Sequence, residues 1–269
     1  MRNHPGATVV SPPNQILRKA RMGALPSRRA VSRKKSTRRM RGGSAREIYV
    51  FYHIFCNKNT LEIVRDQTTK IVFSGLYDEA KASYCFLTGD AECVKQVQSF
   101  LETLPKKFVV KEVGVDDKTF ERFTLNKIAN NVGPKDAILY MHSKGVLRTS
   151  GQKIGFEPTY LWRNYLEYYL IRHYKKCLEK LATHDVVGAL YKEFMIGPHF
   201  SGNFWWTTGE YFKRLTAEHK IGEAYYDPEA YIFKSAPKNY RIDSDKVPNM
   251  ECFYKRPYYG KLYMDDPVV

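Results

Sequence analysis

Between residues 48 and 141 the chain alternates four short apolar runs with three helix-like intervals, and this alternation limits the possible architectures more than any other feature. The first run, residues 48–55, is dense in β-branched and aromatic side chains with little polar interruption, the pattern of a strand buried on both faces. Asn57 or Asn59 can cap a helix that runs to about Val72, with Ser74-Gly75 closing it. Residues 82–88 form a second run, and Asp90 caps a helix to about Leu104. The third run is 108–113, followed by a helix from Asp117 to about Asn131 that ends at Gly133-Pro134. Residues 137–141 form the fourth and lead directly into His142. Such β-α-β alternation with short connections predicts a mostly parallel, doubly wound α/β sheet with helices on both faces. Ligands of such sheets sit at the carboxyl ends of the strands, which directs attention to the segments after Phe55, Thr88, Val113 and Met141.

The second half reads differently. Residues 159–182 give one long helix, with Leu161, Tyr165, Tyr168, Ile171, Tyr174, Leu178 and Leu181 along one face. A strand at 185–190, a helix near 209–216 and an aromatic stretch at 225–233 follow. From about Pro237 the chain is polar and Tyr-rich with weak periodicity. The expected organisation is therefore a basic arm over 1–44, an α/β domain over 45–236, and an extension over 237–269 that packs on the domain or trails it.

Charge separates the arm from the body. Of the 44 Lys and Arg residues, 12 lie in residues 1–44, which contain no acid, so the remainder carries only four net positive charges of the chain's +16. A folded body so nearly balanced does not offer the basic groove that nucleic acid requires. The arm itself has too little apolar content to offset chain entropy, reads as disordered, and can attract an anionic partner. Five scattered cysteines, with no CxxC pair and no zinc-like Cys/His spacing, point to reduced thiols in the core of a cytoplasmic chain. No apolar run approaches the ~20 residues of a membrane span, and no secretory signal is evident.

Three segments have the residue types that chemistry needs. His142-Ser143-Lys144-Gly145 stands at the end of the fourth run, where a glycine turn, a hydroxyl and a lysine can hold a diphosphate. His199-Phe-Ser201-Gly-Asn203-Phe-Trp205-Trp206 combines hydrogen-bonding groups with aromatic faces that suit a sugar, and strand alternation points one tryptophan inward and the other to a cleft. In Tyr225-Tyr226-Asp227-Pro228-Glu229, a carboxylate precedes an apolar run and can act as a general base; Asp227 can cap a helix that has Pro228 at its first turn. There is no GxGxxG, Walker A, HExxH or GxSxG, so dehydrogenase, P-loop, zinc-protease and α/β-hydrolase chemistry lack their motifs. Asp243-Ser244-Asp245 follows no buried run and reads as a surface loop.

With Tyr52-His53-Ile54, Ser74-Gly75-Leu76-Tyr77 and Pro228-Glu229, these motifs resemble glycosyltransferase-type proteins of bacterial surface-polysaccharide clusters and large DNA viruses, similar in pattern to the rhamnan-synthesis group. The resemblance spans about residues 47–235. It implies a GT-A-like fold that moves a sugar from a nucleotide-sugar donor to a glycan or protein hydroxyl. It also implies that His53, His142, Ser143, Lys144 and Gly145 bind donor, with His53 near the nucleoside unless it is simply a satisfied core histidine. His199, Ser201, Asn203 and Trp205 or Trp206 would shape the acceptor site, and Glu229, with Asp227 next in line, would be the base. Many such enzymes hold a divalent cation, Mn or Mg, on an Asp-x-Asp at the end of the fourth strand. Here that place reads His142-Ser143-Lys144. Either Lys144 takes over the cation's role, or carboxylates come from elsewhere, or the chain is inactive. Two other readings remain: an inactive module that binds sugar or nucleotide sugar, and an RNA- or membrane-associated protein acting through its arm.

Overall fold

The first strand, β1 (Ile48–Cys56), is buried along nearly its whole length, and its alternation divides the protein into two cores. Val50, Tyr52 and Ile54 face one side of the sheet, Tyr49 and Phe51 the other. A computed structural model describes residues 46–114, 119–145, 153–194 and 196–244, with the backbone alone for 153–158. These residues belong to one compact unit, Ser44–Val269.

After β1 come α1 (Thr60–Phe73), the short α2 (Leu76–Glu79), β2 (Ala82–Gly89), α3 (Ala91–Glu102), β3 (Phe108–Val113), α4 (Arg122–Ile128) and β4 (Ala137–His142). Each of the four sequence runs is a strand, and Asp90 caps α3 as expected, its Oδ1 accepting from the Cys93 N–H at 2.8 Å. Asn59 occupies the N-cap of α1 but its side chain makes no capping bond to the helix; Asn57 braces that turn through its Oδ1, which accepts from the Asn59 N–H. The helix expected from Asp117 begins only at Arg122, and Asp117 itself lies outside the described residues.

The long helix expected over 159–182 is a correction. The chain forms α5 (Lys153–Glu167), a wider π-type turn at Tyr168–Arg172, and α6 (Tyr174–Lys180), with the break at His173. Leu166, Leu170, Tyr174 and Cys177 all remain in one core, so the wider turn keeps the apolar stripe facing the sheet. Next come β5 (Val186–Gly188), β6 (Tyr191–Lys192), β7 (His199–Phe200), β8 (Trp205–Thr208), α7 (Gly209–Glu218), α8 (Asp227–Tyr231) and β9 (Asn239–Arg241).

Seven strands form one sheet in the order β3-β2-β1-β4-β8-β5-β9, while β6 and β7 form a separate ribbon. The β1, β2, β3 and β4 pairings are parallel; β8 runs antiparallel to β4 and β5. Helices α1, α3, α5 and α6 cover one face and α4 and α7 the other. Of the expected Rossmann-type, GT-A-like class, the chain adopts the general architecture, a mixed α/β fold with a mostly parallel sheet flanked by helices. Strand β9 pairs with β5, so the sheet continues past residue 236 into the segment read as an extension. Asp243 corrects the surface-loop reading: it is buried and accepts from Tyr165 Oη at 3.0 Å and the Leu190 N–H at 2.9 Å. The readings for the arm over 1–44, Asp245, Cys252 and the remainder of the extension lie outside the described residues. No helix among the described residues is long and apolar enough to cross a membrane.

Candidate active-site cleft

Strand order reverses between β1 and β4, and a cavity of about 430 Å³ opens at their carboxyl ends. That volume suits a small-molecule site. His53 and His142 are direct neighbours across the two strands. Both line the cavity, as do Ser143, Lys144, Gly145, Asn203 and Glu229. The residues read as donor-binding are thus all brought together, along with one acceptor residue and the proposed base.

The turn after β4 is tightly built. The Ser143 N–H donates to the His53 carbonyl at 2.9 Å, and Ser143 Oγ accepts from the Phe55 N–H at 2.9 Å. This hydroxyl fastens the ends of β1 and β4 together, so its role is to shape the turn. Gly145 has φ +97°, and a Cβ there would crowd Thr159 Cγ2 at 2.9 Å. Beneath the turn lies a partly buried charge network on α1 and α5, with Arg163 and Glu167 buried and Lys70 and Asp66 half-buried. Gln67 Nε2 donates to the His142 carbonyl at 3.2 Å and Arg163 Nη1 to the Lys144 carbonyl at 3.1 Å. Glu167 receives Lys70 at 2.5 Å and Arg163 at 3.4 Å, and Asp66 receives both cations as well. Paired charges of this kind tolerate burial because each lies opposite its counter-ion. Lys144 Nζ stands over the Trp162 ring, 3.7 Å from its centroid.

Both histidines are neutral. Burial lowers His53 to about 4, against a partial opposing pull from Glu121, while its Nδ1 meets Thr124 Oγ1 at 2.9 Å. Burial, then the nearby Lys144 charge, lowers His142 to about 3. His142 Nε2 donates to the Gly202 carbonyl at 2.9 Å. On the other side of that peptide segment, the Gly202 N–H donates to Glu229 Oε1 at 2.5 Å. Gly202 has φ +94° and packs against Trp162 and Leu166, so the tight 202–203 turn aligns His142 and Glu229.

The sequence reading missed Glu121. It sits just before α4, lines the cavity, and accepts through Oε2 from Tyr140 Oη at 2.9 Å and from Asn203 Nδ2. Its Oε1 lies 3.7 Å from His142 Nε2. Burial raises its pKa above the usual carboxyl value despite these donors. Phe120, Trp162, Tyr225 and Tyr226 are further lining residues that the sequence reading did not assign to the site. The Trp162 indole N–H is buried without a hydrogen-bond partner among the described residues.

Several expected acceptor residues lie elsewhere. Trp205 and Trp206 are both fully buried and point to opposite faces of the sheet, so neither reaches the cleft. Trp205 stacks on Tyr140 at 4.9 Å and donates to Asn203 Oδ1 at 2.7 Å; Trp206 donates to the Leu170 carbonyl at 2.8 Å. The expectation that one of them faces a ligand fails because β8 is an interior strand covered on both sides. His199 is buried with Nδ1 against the Gly197 carbonyl at 2.8 Å, and Ser201 is also buried; neither lines the cavity. Asn203 does line it, and its amide ties Glu121 to Trp205. Asp227 neither lines the cavity nor caps α8; its Oδ2 braces the preceding turn by accepting from the Ala224 N–H at 2.7 Å. An ammonium group follows β4 where the acids of an Asp-x-Asp would stand, and no cluster of three His, Cys, Asp or Glu suited to a metal occurs among the described residues.

No match is found among curated proteins. Two solved structures are similar at low identity. One is 4-diphosphocytidyl-2C-methyl-D-erythritol synthase from Anaerococcus prevotii DSM 20548, 8% identical, covering 71% of this chain and 82% of that one, with a TM-score of 0.37. The other, also described as 4-diphosphocytidyl-2C-methyl-D-erythritol synthase, is 9% identical, covers 80% and 98%, and has a TM-score of 0.40. At those values the likeness is one of general architecture and carries no statement about activity. The family described as "Domain of unknown function (DUF8361)" matches residues 51–238, most of the described sheet and the whole cleft lining, and the chain belongs to that family.

Proposed function

We propose that the cleft transfers a glycosyl group from a nucleotide sugar to a hydroxyl of a glycan or protein. One observation carries this reading: a single cavity at the strand-order reversal holds a lysine on a glycine turn and a carboxylate fixed by a backbone N–H. Lys144, with the backbone around Gly145, is suited to the diphosphate of a donor. Glu229 is suited to take the proton of an acceptor hydroxyl, which is a poor nucleophile at neutral pH. The neutral imidazoles of His53 and His142 add hydrogen-bonding capacity without adding charge. A cationic side chain can offset the charge of a departing nucleoside diphosphate, and no step here requires a metal.

The test is a panel of nucleotide sugars read by thermal shift and by release of nucleoside diphosphate. The Glu229→Gln protein should fold, bind donor, and turn over at least about a hundredfold more slowly, because losing a general base costs roughly 10²–10⁴-fold. Near-normal turnover in that variant would remove Glu229 from the mechanism. Donor binding by the unmodified protein with no turnover on any acceptor would leave a binding module in place of a transferase.

A further inference from the structure

Three of the large apolar side chains that stand exposed among the described residues crowd together at the mouth of the cleft. Phe120 is 39% exposed, Tyr225 65% and Tyr226 49%. They meet edge to face, Phe120 and Tyr225 at 5.7 Å and Tyr225 and Tyr226 at 4.9 Å, and all three line the cavity. Two distant parts of the chain are pinned together to make this wall. Arg122 Nε donates to the Gly222 carbonyl at 2.7 Å and Nη2 to the Ala224 carbonyl, while Asp227 holds the Ala224 N–H. Phe120 is held at φ +46°, an uncommon and costly conformation for a bulky side chain. Holding an aromatic ring in a strained backbone at the surface gains nothing for the core.

Beside this wall lies Glu121. Its Oε2 is taken by Tyr140 and Asn203, so Oε1 is the oxygen available to a ligand. We propose that Glu121 and the Phe120–Tyr225–Tyr226 wall form a subsite for a neutral sugar ring. Flat rings cover the C–H face of a sugar, and carboxyl oxygens accept from its hydroxyls. The charges favour a sugar over a nucleobase. A base brings its phosphates with it, and the carboxyl group beside these rings, that of Glu121, repels them, while a second carboxyl group, Glu229, lines the same cavity. The inference rests on the reading of the cleft as the ligand site and adds what its mouth recognises.

Saturation-transfer NMR with a panel of methyl glycosides (gluco-, galacto-, manno- and xylo-configured, both anomers) tests it, with UDP, GDP, CDP and ADP titrated in parallel. At least one glycoside should bind the full chain. Tyr225→Ala and Glu121→Ala should each weaken that binding about tenfold or more and leave nucleotide binding within about twofold. Tyr225 is exposed enough that its removal does not threaten folding, which keeps the test sound if Glu121→Ala is unstable. Absence of any glycoside binding, or binding unchanged in Tyr225→Ala, overturns the subsite. Loss of nucleotide binding in that variant gives the rings to the base and also overturns it. Glycoside binding without nucleotide binding supports the subsite while sinking the transferase reading; nucleotide-sugar turnover without glycoside binding does the reverse.

Discussion

Two neutral histidines packed side by side at the ends of β1 and β4 make the fold sensitive to acid. In the unfolded chain each takes a proton near pH 6.5, whereas in the fold His53 does so at about 4 and His142 at about 3. Between those values the unfolded chain binds more protons than the native one, so stability falls as pH falls below about 6.5 and levels off only below the folded values. At pH 5 the linkage relation gives a loss of about 2 kcal/mol per histidine relative to pH 7, or about 4 kcal/mol for the pair. The groups facing them modulate this figure. Glu121 lies near both, Lys144 opposes a charge on His142, and Glu229 favours it. The raised pKa of Glu121 acts with the opposite sign: the native state binds the extra proton, which offsets part of the loss on acidification. A comparison that cancels the other groups is therefore the useful one. His53→Asn keeps a hydrogen-bonding group for Thr124, and His142→Gln keeps a donor for the Gly202 carbonyl. Urea unfolding followed by tryptophan fluorescence at pH 7 and pH 5 should show the double variant losing about 4 kcal/mol less than the parent over that interval. Equal losses in the two proteins would mean that the imidazoles are solvated or already charged in the fold, and burial as the cause of their neutrality would be wrong.

Two further outcomes follow from the geometry. Lys144→Ala should weaken binding of a nucleoside diphosphate such as UDP about tenfold or more, since a charge-assisted bond contributes roughly 1.5–3 kcal/mol; calorimetry with and without EDTA checks it, and binding that EDTA abolishes while Lys144→Ala leaves it unchanged refutes the phosphate role. Gly209→Ala should lower stability by at least about 2 kcal/mol, because a Cβ at the start of α7 would overlap the Gly133 carbonyl oxygen, a backbone atom that cannot rotate away; an unchanged melting temperature would refute that close approach.

The first half of the fold was legible because its signals are local. Strands β1, β2 and β4 are apolar runs, each bounded by a turn residue or a cap, and a strand buried on both faces needs no partner to be recognised; β3, at the sheet edge, keeps an apolar start at Phe108 before Lys111 and Glu112. Strands β5 to β9 have two to four residues each and depend on neighbours from other parts of the chain. Strand β9 shows the consequence: its three residues pair with β5, and Asp243 behind it is buried by Tyr165 and Leu190, contacts that no local pattern announces. The π-type turn at Tyr168–Arg172 was invisible for a related reason. A stripe with gaps of three and four fits one unbroken helix as well as two joined by a wider turn, and tertiary packing makes the choice.

The site divides along the same line. His142 to Gly145 could be found because topology alone puts the end of β4 at the cavity beside the strand-order reversal, and the glycine marks its turn. Glu229 could be found because an acid before a buried run is held rigidly. The tryptophan pair misled because aromatic rings beside Gly and Asn look alike whether they serve a ligand or a core; adjacent residues on a strand must face opposite sides, and both sides of β8 are covered. The working polar residue of that segment is Asn203, whose amide links Trp205 in the core to Glu121 in the cleft. Glu121 itself had no sequence signal, since an acid at the start of a helix ordinarily serves the helix dipole. What turns it to the cleft is Tyr140, which stands on β4 two residues before the strand ends at His142 and directs its hydroxyl at the carboxyl group. Trp205 therefore acts on the cleft indirectly, fixing Asn203 while Asn203 and Tyr140 fix Glu121, whereas Trp206 serves the opposite core; the exposed aromatic rings that line the cleft are those of Phe120, Tyr225 and Tyr226.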